Sequence, residues 1–132
     1  MKKLAFALCL CTLMSFGAPL GPDPEAAITM KGEYHWTQRD VKGEIKAVFT
    51  PTGEGQWSVE FFFDWRDDAH VYAGTAEGNL KNGALKGSVK NDNKNRTFNF
   101  EGKTENGTFK GSHEEIGRSG PRETGTIELM TQ

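Results

Sequence analysis

Cysteine is nearly missing from these 132 residues: there are two, Cys9 and Cys11, and both fall within the first seventeen positions. Beyond them the chain has no thiol, which excludes disulfide staples, thiolate metal ligands and cysteine nucleophiles. Helical periodicity is absent from Ile28 onward, as are any basic cluster, any His-x-His pair and any phosphate-cradling glycine loop. These absences point away from helical bundles, nucleic-acid binding, ordinary metal sites and nucleotide chemistry.

What stands at the N-terminus is a leader. MKKLAFALCLCTLMSFG carries Lys2 and Lys3, then an apolar run from Leu4 to Phe16, then small residues. That layout predicts a signal peptide over residues 1–17, with an apolar stretch too short for a membrane span. Leu8 and Leu10, before the two cysteines, are too bulky for a usual lipoprotein signal. The chain is therefore expected to be exported, to the periplasm or beyond, without a membrane anchor. Residues 18–27, with three prolines in APLGPDPEA, read as an extended linker, and 28–132 as one domain. Removing the leader's two lysines leaves 14 basic residues against 18 acidic ones, a formal charge of −4. A mildly acidic surface disfavours nucleic acid or an anionic membrane as partner.

The domain alternates. Tyr34 and Trp36 share parity, as do Ile45, Ala47 and Phe49, and Trp57, Val59, Phe61, Phe63 and Trp65. Leu85 and Val89, Phe98 and Phe100, Phe109, and Ile127 with Leu129 continue the pattern, while Glu33, Glu44, Lys46, Lys86, Glu101 and Glu128 take the other face. Such alternation means one buried and one wet face. Eight strands are expected, over 28–37, 42–50, 56–65, 69–80, 84–90, 96–104, 107–114 and 123–130.

A repeat supports that count. GNLKNGALKGS at 78–88 returns as GKTENGTFKGS at 102–112, and each copy carries Asn-Gly, the preferred pair of a type I′ hairpin turn. Two strand-plus-turn units fill the interval, so the motif marks every second hairpin of an up-and-down meander. Consecutive hairpins without a long crossover favour an all-β, eight-stranded antiparallel barrel; a two-sheet β-sandwich, usually built with Greek-key returns, is the alternative. Glycines inside strands, among them Gly74, Gly87, Gly102 and Gly111, suit tight coiling or leave room for opposing aromatic rings.

An export leader, an eight-stranded meander and an early Gly32-Glu33-Tyr34 with Trp36 nearby resemble the calycin group of lipocalin-like and avidin-like barrels. Lipocalins usually carry Gly-x-Trp where this chain has tyrosine third. The resemblance implies a ligand in the barrel mouth.

In a meander, alternate connections share an end. The first, third, fifth and seventh, at 38–41, 66–68, 91–95 and 115–122, read as longer and more charged than the others. They predict a rim where Trp36, Arg39, Trp65, Arg66, His113, Arg118 and Arg122 orient a small polar or anionic ligand. His35, His70 and His113 fall near that end, but mismatched parity and dispersed strands oppose a metal site. Ser112 and His113 face opposite sides of one strand, and no paired acid and base emerges, so no catalytic residue is expected. Lys90, Lys94 and Arg96 lead into Thr97-Phe98-Asn99-Phe100, yet the two phenylalanines share the core face and are unsuited to stacking on bases. The expectation is a non-enzymatic binding module without cofactor, metal or nucleic acid, its partner a small molecule or a protein. The alternative is a structural or protein-interaction barrel filled by its own side chains. Outward-parity Phe62 and Val48 are the exceptions that would favour a protein partner.

Overall fold

The computed structural model describes residues 27–132. The expected leader and all but the last residue of the linker lie outside them. Eight strands run in chain order: β1 (Ile28–Trp36), β2 (Val41–Gly53), β3 (Gln56–Trp65), β4 (Asp68–Gly78), β5 (Gly83–Asn91), β6 (Arg96–Glu105), β7 (Thr108–Gly117) and β8 (Gly120–Thr131). Each pairs antiparallel with the next, and β1 pairs with β8 from Met30 opposite Thr131 to Trp36 opposite Gly125. The ribbon is a closed barrel, which leaves no sheet edge. The sandwich alternative is excluded.

Period two explains what is buried. Met30, Ala47, Phe49, Val59, Leu85, Phe109 and Leu129 are almost completely buried. They plug the bore at the end reached by the second, fourth and sixth connections. Leu80, on the fourth connection, turns in beneath them and is also buried. Gly74 shows why strand glycines recur: a methyl there would overlap the carbonyl oxygen of Ser88 on β5. Gly87 serves the second expected purpose, since a Cβ there would stand 2.6 Å from the Phe100 ring.

The repeated motif folds in two ways. Asn106 and Gly107 both have positive φ, 53° and 82°, as a type I′ turn requires. In the first copy β4 ends earlier, and Asn79 Oδ1 accepts bonds from the Lys81 and Asn82 amides at 2.8 and 2.9 Å. That side-chain turn opens a four-residue loop and corrects the expected strand to residue 80 and type I′ turn. The second copy has Lys103 where Asn79 stands, and lysine offers no acceptor. The two copies then dock: the Asn106 amide donates to Asn82 Oδ1 at 3.0 Å, and the Gly107 amide to the Lys81 carbonyl at 3.1 Å. The echo latches the plugged end.

At the opposite end the expected long loops are largely absent. Arg66-Asp67 is a two-residue turn, and β7 and β8 extend until only Arg118-Ser119 separates them. Charges that read as loop are strand residues satisfied across the ladder, with Glu115 opposite Arg122. Outside the barrel, Lys46 Nζ lies 4.9 Å from the Phe62 ring centroid, which explains how an aromatic side chain is tolerated there.

Candidate functional site

The bore is solid at one end and hollow at the other. A cavity of about 260 Å³ opens beneath the rim formed by the first, third, fifth and seventh connections. Eight of its sixteen lining residues are aromatic: Tyr34, Trp36, Phe61, Phe63, Trp65, Tyr72, Phe98 and Phe100. Ile45, Val89 and Ile127 add aliphatic wall, and the rest are Arg39, Arg66, Arg96, His70 and His113. Every inward position on β3 from Phe61 to Trp65 contributes, because alternate residues of one strand face one side.

Trp36 crosses the mouth. Its ring centroid lies 6.0 Å from Trp65, 5.7 Å from Phe98 and 6.0 Å from His113, which stand on β3, β6 and β7. On the other wall Phe63 stacks with His70 at 16° and with Tyr72 at 26°, both at 5.6 Å. Burial raises the phenols of Tyr34 and Tyr72 above their ordinary value of 10.0, so both remain neutral hydroxyls.

Arg96 anchors the polar side. Its Nε and Nη2 donate to Glu115 at 2.8 and 3.1 Å, and Arg122 Nη2 donates to the same carboxylate at 2.9 Å. The guanidinium lies 5.5 Å from the Trp36 ring and 5.2 Å from Phe98. Hydrogen bonding from Arg96, then from Arg122, holds the Glu115 carboxyl below the ordinary carboxylate range.

His113 sits deeper. A bulge puts Thr124 between the partners of His113 and Glu114, so its side chain turns inward and is fully buried. Thr124 Oγ1 donates to the His113 carbonyl at 3.1 Å and lies 2.6 Å from His113 Nδ1. One hydroxyl thus ties the His113 ring to its own backbone carbonyl. Nε2 is buried, and no partner meets hydrogen-bond geometry there. Burial lowers the His113 pKa below 6.5; the backbone near His35 and Thr126 pulls more weakly the other way.

Of the residues expected at the rim, Trp36, Arg39, Trp65, Arg66 and His113 are brought together around this cavity. Arg122 is turned to Glu115, and Arg118 is exposed at a hairpin tip, so neither lines it. His35 points outward, its Nε2 3.0 Å from Asp40 Oδ1. Among the described residues no cluster of three or more metal-ligating side chains occurs. Sequence reasoning missed Arg96 and Tyr72 as wall residues, and it set His70 near the rim without assigning it to the wall. The signal was present: Arg96 shares parity with Phe98 and Phe100, and residues 70, 72, 74 and 76 alternate together. No protein-family model, curated protein or solved structure matches this chain.

Proposed function

We propose that the protein is an exported, non-enzymatic binding barrel that holds one small ligand in the aromatic cup beneath its rim. One observation carries this reading: the core is packed solid at the latched end and gives way to an aromatic hollow at the other. An eight-stranded barrel is wide enough either to be filled or to hold a small guest, and this chain divides its length between the two. Interiors normally close to crystal-like density, so a hollow bordered by eight aromatic rings is a feature to be explained. A calycin-like ligand mouth agrees with the early Gly32-Glu33-Tyr34 and Trp36. The leader pattern of residues 1–17 supports export. The charged outward face supports a barrel surrounded by water.

Tryptophan fluorescence tests the reading directly, because Trp36 and Trp65 both border the cup. Titration of the full chain with small aromatic compounds should give saturable quenching. It should disappear when Val89, on the cavity wall, is replaced by phenylalanine. Absence of quenching across the panel would favour the structural or protein-interaction barrel instead.

A further inference from the structure

Resting on the binding reading above, we infer that the ligand is a compact aromatic anion: one or two fused rings bearing a single carboxylate or sulfonate. The charge distribution is the first argument. The whole chain has 18 acidic residues against 16 basic ones. Yet the charged side chains lining the cavity are all arginines, Arg39, Arg66 and Arg96, and no acid lines it.

These arginines differ in availability. Arg96 is occupied by Glu115, which also accepts from Arg122. Neither Arg39 nor Arg66 has an ion pair or side-chain hydrogen bond among the described residues. Acids close by in sequence do not neutralise them: Asp40 is taken by His35, and Asp67 and Asp68 lie off the cavity wall. Two free guanidinium forks on separate turns at the opening, above an apolar cup, fit a guest with an apolar body and one planar anionic head.

Shape supplies the second argument. A cavity of about 150 Å³ accommodates benzene, so 260 Å³ suits one or two rings and their substituent. A long acyl chain has nowhere to go, because Phe49, Phe109 and Met30 close the bore below. Ring walls also favour a flat guest, through stacked and edge-on contacts that an aliphatic chain makes less well.

The test uses the full chain and three probes followed by tryptophan quenching and calorimetry: 2-naphthoate, its neutral isostere 2-naphthamide, and dodecanoate. The expected result is saturable binding of 2-naphthoate, at least tenfold tighter than either other probe and weakened by salt. Arg39→Gln with Arg66→Gln should reduce naphthoate affinity about tenfold or more and leave naphthamide unchanged. Both are exposed turn residues, and an unaltered unfolding midpoint would confirm that the variant is folded. Equal binding of acid and amide, or naphthoate affinity indifferent to both substitutions, overturns the anion assignment while the binding reading stands. Tighter binding of dodecanoate overturns the aromatic assignment. Failure of every probe defeats the binding reading and this inference together.

Discussion

Thr124 Oγ1 and His113 Nδ1 lie 2.6 Å apart on the inner wall, and the same hydroxyl donates to the His113 carbonyl. The hydroxyl holds the ring in place, and burial keeps the imidazole's pKa below its ordinary value. Replacing Thr124 with valine removes that hydroxyl and leaves His113 Nδ1 without its partner. A loss of about 1–3 kcal/mol is expected in urea unfolding, whereas Thr124→Ser should lose less.

His113 should also make stability depend on pH. Its pKa in the fold lies below the ordinary 6.5, so the unfolded chain takes up a proton first as pH falls. Stability is then fully present above about pH 6.5 and declines progressively beneath it, until the folded pKa is passed. Unfolding midpoints measured from pH 8 to 5 should show this decline. It should flatten in His113→Asn, whatever that variant's absolute stability.

The Arg96–Glu115–Arg122 group acts in a lower window. Glu115 is held below its ordinary 4.5, so its contribution is complete above that value and is lost as pH falls through the folded pKa. Its side chain is only 17% exposed and meets Arg96 with both oxygens, unlike a freely solvated pair. Glu115→Gln should cost about 1–2 kcal/mol near neutrality, since two guanidinium groups then share an uncharged partner. Arg96→Lys should not preserve the site, because an ammonium cannot span both carboxylate oxygens while packing against Trp36 and Phe98. Denaturant titration of the three proteins compares them.

Most of this fold could be read from period two. Every expected strand is present, because one-sided burial fixes both strand position and register. The exceptions arose where polar side chains decided between strand and loop. Asn79 capped its own turn and shortened β4, and Glu115 drew Arg122 across the ladder and lengthened β7 and β8. The cup was legible only in part. Trp36, Trp65 and His113 follow from parity, but Arg96 was masked by its neighbourhood of lysines, and nothing local distinguishes a hollow bore from a filled one. That distinction depends on how residues distant in sequence, such as Phe61, Val89 and Ile127, meet in space.

Arg66 offers a test of conflict between stability and binding. It has φ 54° and Asp67 has φ 66°, so the turn holds two consecutive non-glycine residues in the left-handed region. Such a conformation costs a side-chain-bearing residue roughly 1–2 kcal/mol, part of which glycine gives back through unfolded-state entropy. Arg66→Gly should therefore raise unfolding stability by about 0.5–1 kcal/mol and weaken anionic probes. A stabilised protein that binds them as well as the parent would show that Arg66 occupies the turn for some other reason.

Coiling is tested at Gly74. Its inward face meets the backbone of β5, where a methyl would overlap the Ser88 carbonyl oxygen. A flexible side chain could swing aside, but a carbonyl within a closed ladder cannot move without parting strands. Gly74→Ala should consequently cost more than the ordinary 2–5 kcal/mol of a large core truncation, or prevent folding altogether. Gly55→Ala is the control: it has open space around it, and only its φ of 68° penalises a side chain. That substitution should cost about 1–2 kcal/mol. Soluble yield and circular dichroism distinguish the two variants. Comparable stability would mean that β4 and β5 lie farther apart than the closed barrel requires, and the dimensions of the cup would have to be revised with them.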